Sequence, residues 1–156
     1  MWRKLWKKIF GADVRNASLH SERPSIALID DEEDVCRVVR MALRARGIEV
    51  DVAHDGVSGL QMIRRHPPSL ILLDIKMPGM NGYQVLAELQ KDTRLSTIPV
   101  IVLTSLTEAS EQSDAKWTER LGIRKLITKP FDPDELARQV QEVLGEDASE
   151  PIEDGR

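Results

Sequence analysis

Two runs of almost continuous apolar residues constrain this chain more than anything else in it: Leu70-Ile71-Leu72-Leu73-Asp74 and Val100-Ile101-Val102-Leu103-Thr104. A strand with one wet face alternates apolar and polar side chains. Short unbroken runs therefore imply burial on both faces, as in a parallel sheet covered by helices. Three further runs read as strands: SIALID at 25–30, VDVA at 50–53 and KLIT at 125–128. The segments between them have helical spacing. Glu32 to Arg46 places Val35, Val38, Val39 and Ala42 on one face, with acids early, arginines late and Gly47 as the stop. Gly56 to Arg65 carries Val57, Leu60 and Ile63; Asn81 to Gln90 carries Val85, Leu86 and Leu89. Thr107 to Leu121 is a weaker helical pattern, with Ala109, Trp117 and Leu121. Asp134 to Leu144 carries Leu136, Val140, Val143 and Leu144. Asp132 is placed to cap it, Pro133 suits its first turn and Glu135 could close a capping box.

Strands that alternate with helices pair in parallel, with helices on both faces. Right-handed crossovers then put every strand's C-terminal end on one edge, where such sheets bind ligands. The predicted layout is a basic segment at 1–11, a flexible linker at 12–24, one α/β body at 25–145 and an acidic disordered tail at 146–156. A net charge of −4 argues against general nucleic-acid binding. Cys36 is the only cysteine, which excludes an internal disulfide and fits a reducing compartment. No run approaches the length of a membrane-spanning helix, and the basic start lacks a continuous apolar stretch behind it. A cytoplasmic location is therefore expected.

The strand ends carry the chemistry. The first ends in Asp30-Asp31, the third in Asp74, the fourth in Thr104-Ser105, and the fifth just before Lys129-Pro130. The second, ending near Ala53 and His54, offers no obvious catalytic group. The fold would thus bring three carboxylates, a hydroxyl and an ammonium into one crevice. Three carboxylates repel one another and call for a cation, and an all-oxygen set suits Mg²⁺. Asp74 would be kept ionised as a nucleophile, while Lys129 and Thr104 meet phosphoryl oxygens. Positioning and charge stabilisation of this kind are what phosphoryl transfer requires, and the carboxylate would form an aspartyl phosphate.

The runs Ile29-Asp30-Asp31-Glu32, Leu72-Leu73-Asp74-Ile75-Lys76-Met77-Pro78-Gly79-Met80-Asn81-Gly82, Thr104-Ser105 and Lys129-Pro130-Phe131 resemble the receiver domain of two-component response regulators, over roughly Ser25 to Gly145. The resemblance implies a flavodoxin-like, doubly wound sheet of five parallel strands in the order 2-1-3-4-5. It implies that Asp74 accepts a phosphoryl group from a phosphohistidine, on a sensor histidine kinase or a histidine phosphotransfer protein. Mg²⁺ (or Mn²⁺) would be held by Asp31, by Asp74 and by the backbone carbonyl of Lys76, with Asp30 acting mostly through a bound water. Thr104 would be the switch hydroxyl and Lys129 the reporter of the phosphoryl group, with a cis Lys129-Pro130 bond. The protein would catalyse only its own phosphorylation and dephosphorylation and would not otherwise be an enzyme. No output domain is expected to follow, so signalling would run through protein contacts, phosphoryl relay or the N-terminal segment.

One departure stands out. Receivers usually carry an aromatic residue three positions before the lysine, and this chain has Leu126. Two rivals remain: a pseudo-receiver that binds without being phosphorylated, and an aspartate-nucleophile phosphohydrolase. The second is disfavoured because Asp30 and Asp31 are adjacent, where those enzymes typically place Asp-x-Asp. The blander readings are a helix cap for Asp30-Asp31, a solvated lysine for Lys129 and a simple turn for Met77-Pro78-Gly79.

The first eleven residues, MWRKLWKKIFG, are the oddity. At helical spacing Trp2, Leu5, Trp6, Ile9 and Phe10 fall within an arc of about 140°, opposite Arg3, Lys4, Lys7 and Lys8. That pattern suits a helix lying on an anionic membrane surface. An aromatic docking peptide for a partner, or a helix packed back on the body, are the alternatives.

Overall fold

The computed structural model describes residues 23–105 and 119–149. The segment 1–11, Trp117 and most of the expected helix between Thr107 and Leu121 lie outside the described residues.

Five strands, β1 (Ser25–Ile29), β2 (Glu49–Ala53), β3 (Leu70–Asp74), β4 (Val100–Ser105) and β5 (Ile123–Lys129), form one sheet. Its order is β2-β1-β3-β4-β5, and every pair is parallel. Among the described residues four helices cover it: α1 (Glu33–Arg44), α2 (Gly56–Arg65), α3 (Gly82–Gln90) and α4 (Pro133–Ser149). The chain is thus a flavodoxin-like α/β sheet: parallel strands under helices as the strand pattern implied, in the order that the resemblance implied.

Alternate residues of each inner strand feed two separate cores. Ile26, Leu28, Leu70, Leu72, Ile101 and Leu103 pack against Cys36, Val39 and Leu43 of α1 and Leu136, Val140 and Val143 of α4. Ala27, Ile29, Ile71, Leu73, Val100 and Val102 pack against Leu60 and Ile63 of α2 and Val85, Leu86 and Leu89 of α3. All five residues of β3 are buried, so its unbroken apolar run reflects two dry faces.

Local sequence sets the element ends. Gly47 takes a positive φ of 76°, which a residue with a Cβ adopts only at a cost, and the chain turns there from α1 into β2. Asn81 begins α3 with a capping box: its side chain accepts from Gln84 N, and the Gln84 side chain accepts from Asn81 N. Asp132 caps α4 by accepting from the backbone N–H groups of Asp134 and Glu135. The Glu135 carboxylate is engaged by Arg138 and Gln139 instead of closing a box. β5 starts at Ile123, two residues before the expected KLIT run, with a register shift beside Arg124 that the apolar pattern does not show. α4 continues to Ser149, since the first strong helix breaker past Gly145 is Pro151.

Candidate functional site

The parallel register delivers the strand ends to one edge. Asp30 directly follows β1 and is fully buried; its N–H donates to the Ala53 carbonyl at the end of β2. Its own carbonyl is met by His54 Nδ1 at 3.2 Å and accepts from Cys36 Sγ at 3.3 Å. The second strand's end, which offers no obvious catalytic group in the sequence, therefore holds the turn that carries the acid pair. Burial, and then the Asp30 charge, push the Cys36 thiol up to about 12, so it stays a neutral donor.

Asp74 ends β3, and Asp30, Asp31 and Asp74 each offer a carboxylate oxygen within 4.8 Å of the others. Asp30 and Asp74 are buried, whereas Asp31 is exposed. The crevice is a cavity of about 500 Å³ lined by Asp31, Glu32, Asp74, Lys76, Met77, Pro78, Ser105 and Lys129. The β3–α3 turn is held tightly. A Cβ on Gly82 would sit 2.5 Å from the Asp74 carbonyl oxygen and 2.7 Å from Ile75 Cα, so the small residue lets α3 start against the strand end.

Lys129, from the end of β5, reaches across to the acids. Its Nζ lies 2.8 Å from Asp30 Oδ2, 3.2 Å from Glu32 Oε1 and 3.5 Å from Asp74 Oδ1. Burial works against its charge, but the hydrogen bond to Asp30 and the charges of Asp30 and Asp74 outweigh it. The ammonium is held well above its ordinary value. Asp74 moves the other way. Burial, and then the Asp30 charge, raise its carboxyl from 3.8 to about 7 despite the opposing pull of Lys129. A single ammonium does not neutralise this cluster. Three hard oxygen donors so close together, with one of them protonating near neutrality, are a donor set that fits a divalent cation such as Mg²⁺.

Of the residues singled out in the sequence, Asp30, Asp31, Asp74 and Lys129 are brought together, and Lys76 lines the same cavity. Thr104 ends up fully buried, and its hydroxyl donates to the Ser105 carbonyl at 3.3 Å; Ser105, not Thr104, lines the cavity. Leu126 is half-buried on β5 and packs into the core beneath α2 and α3. The Lys129-Pro130 bond is cis. Glu32 was missed as a partner of Lys129. The only signal for it is an acid three residues past the strand end, and that position reads equally well as the start of a helix.

The response regulator receiver domain family matches residues 26–141. The chain is 34% identical to protein PilH of Pseudomonas aeruginosa over 119 residues, which are 76% of this chain and 96% of PilH. It is 36% identical over 123 residues to a probable transcriptional regulator, ycf27, of Porphyridium aerugineum, covering 79% of this chain and 49% of that protein. Among solved structures it resembles a CheY-like receiver domain protein of Methanospirillum hungatei, with a TM-score of 0.72 and 26% identity over 82% of this chain and 98% of that one. Fold, acidic triad, cross-strand lysine and sequence agree: the chain belongs to the response regulator receiver domain family.

Proposed function

We propose that this receiver takes a phosphoryl group onto Asp74 from a phosphohistidine, carried by a sensor histidine kinase or a histidine phosphotransfer protein. The observation that supports this reading most directly is the placement of Asp74. It is buried at the end of β3, within 4.8 Å of two further carboxylates, with Lys129 Nζ 3.5 Å from its Oδ1. A carboxylate oxygen of Asp74 bonds to phosphorus as the nitrogen–phosphorus bond of the donor breaks, and the departing imidazole takes up a proton from solvent. Asp31, Asp74 and the backbone carbonyl of Lys76 would hold Mg²⁺ (or Mn²⁺), with Asp30 acting at one remove through a water. The ion supplies charge shielding that lets an anionic phosphoryl group approach an anionic nucleophile. Lys129, now shared between Asp30, Glu32 and Asp74, turns toward the new phosphoryl oxygens. That exchange breaks its contact with Asp30 and loosens the strand-five side. With Leu126 in place of a ring, the change passes through Thr104 and Lys129 and not through a rotating aromatic. Output follows through contacts with other proteins.

Intact-mass measurement with Mg²⁺ and a small phosphodonor such as acetyl phosphate tests this. One added phosphoryl group is expected, not formed when chelator is present from the start and absent in Asp74→Asn. No addition, which a pseudo-receiver would give, or an addition that persists in Asp74→Asn, overturns it. Turnover of small phosphate esters would mark a phosphohydrolase instead.

A further inference from the structure

Glu32 is the carboxylate lining the crevice that the cation's donor set leaves unassigned. It stands at the N-cap of α1, where a shorter side chain would accept from the helix's first N–H groups, and it makes no capping hydrogen bond. Its backbone is tied down instead: the Glu32 N–H donates to Asp30 Oδ1 at 3.0 Å. The carboxylate turns to the crevice and meets Lys129 Nζ at 3.2 Å, the same ammonium that Asp74 Oδ1 meets at 3.5 Å. The next two acids, Glu33 and Asp34, pair with Arg37 along the helix. The Glu32 side chain is 60% exposed, so its bond to Lys129 stabilises the fold little. What it does supply is a fixed negative charge at the mouth of the path to Asp74.

That charge decides the balance of the crevice. With a divalent ion in place, Asp30, Asp31, Asp74, Lys76 and Lys129 leave one net positive charge, and Glu32 cancels it. A positive crevice draws in the most highly charged anion, whereas a neutral one does not. Phosphodonors differ in this respect. An acyl phosphate is a dianion at neutral pH. A phosphoramidate is protonated on nitrogen and carries one negative charge less. In either transfer an Asp74 oxygen bonds to phosphorus as the donor's phosphorus–oxygen or phosphorus–nitrogen bond breaks. The leaving group keeps that electron pair and departs as a carboxylate anion or as a neutral amine.

We propose that Glu32 is a specificity-determining residue, whose charge favours nitrogen-linked phosphodonors over acyl phosphates. The inference rests on phosphoryl transfer to Asp74 and names the donor class that the crevice selects. Selection arises because the acyl phosphate brings one more negative charge past Glu32, and the two repel.

Phosphorylation of the full chain by acetyl phosphate and by phosphoramidate tests it, at pH 7 with saturating Mg²⁺ and intact mass followed over time. In Glu32→Gln the rate constant with acetyl phosphate should rise about fivefold relative to that with phosphoramidate. The gain should lie in KM and not in the maximal rate, and should shrink as salt is added, because the carboxylate is exposed. Glu32→Asp keeps the charge and shortens the reach to Lys129, and should keep the parent chain's preference. An unchanged ratio of the two rates in Glu32→Gln overturns the proposal. So does a shift that Glu32→Asp reproduces in full, which would make the Lys129 contact the cause and not the charge. No phosphoryl group on the parent chain from either donor overturns the reading of Asp74, and this inference with it.

Discussion

Asp74 is strained electrostatically in the absence of a divalent ion, and that has a measurable sign. Its carboxyl sits near 7 when folded against an ordinary 3.8. Between those values the folded state binds more protons than the unfolded one, so stability falls as pH rises through the interval. Urea titrations in chelator should show this decline, and Asp74→Asn should flatten it, gaining roughly 1–2 kcal/mol at neutral pH; the open crevice keeps the gain well below the full shift. A second expectation concerns Lys129, whose ammonium competes with any cation for the same carboxylates. Lys129→Met should tighten Mg²⁺ binding roughly tenfold, read by titration, while impairing the response to phosphorylation. The convergence of Asp30, Asp31, Asp74 and Lys129 was legible because parallel strands share an edge, so that a residue's place at a strand end locates it in space. The Cys36 and His54 contacts with the Asp30 carbonyl, and the inward turn of Thr104, were not legible. They depend on which way a side chain leaves the last residue of a strand, and only tertiary packing decides that.

At the scale of elements, two glycines separate packing from site geometry. Gly59, on α2, faces β1, and a Cβ there would lie 2.4 Å from Ile29 Cδ1, a side-chain atom that can shift. Gly82 meets the backbone of Asp74 and Ile75, which cannot. Gly59→Ala is expected to lower stability by about 1–2 kcal/mol and leave phosphorylation intact, whereas Gly82→Ala should displace the end of β3 and reduce phosphorylation as well. Denaturant midpoints and intact mass on the two variants would separate these effects. Asn81→Ala, which removes the capping box ahead of α3, should cost about 1 kcal/mol by the same titration. The described helices were readable from their period and marked ends, and β3 and β4 from their unbroken apolar runs. What the sequence concealed was the early start of β5, where a register shift opposite Val100 and Ile101 breaks the period of two, and the run of α4 to Ser149, where charged residues give no apolar stripe to follow.

For the molecule as a whole, the order β2-β1-β3-β4-β5 places β3 at its centre, between β1 and β4, with β5 on one flank. A ligand that holds Asp31 and Asp74 together binds only the folded sheet, so Mg²⁺ should raise the melting temperature, and go on raising it with the logarithm of its concentration above its Kd, an effect absent in Asp74→Asn. No helix of the described residues is long and apolar enough to cross a membrane.

The ion pair between Lys129 and Asp30 joins residues 99 positions apart in the chain. Nothing local can bring those two side chains together; they meet only after the last strand has been added to the sheet. While the protein is being made, the acid pair and Asp74 leave the ribosome long before their cationic partner does. A nascent chain halted anywhere before Lys129 holds the carboxylates and lacks the ammonium that binds them to the far side of the sheet. The acidic crevice is therefore joined to the far side of the sheet only once the last strand has been made.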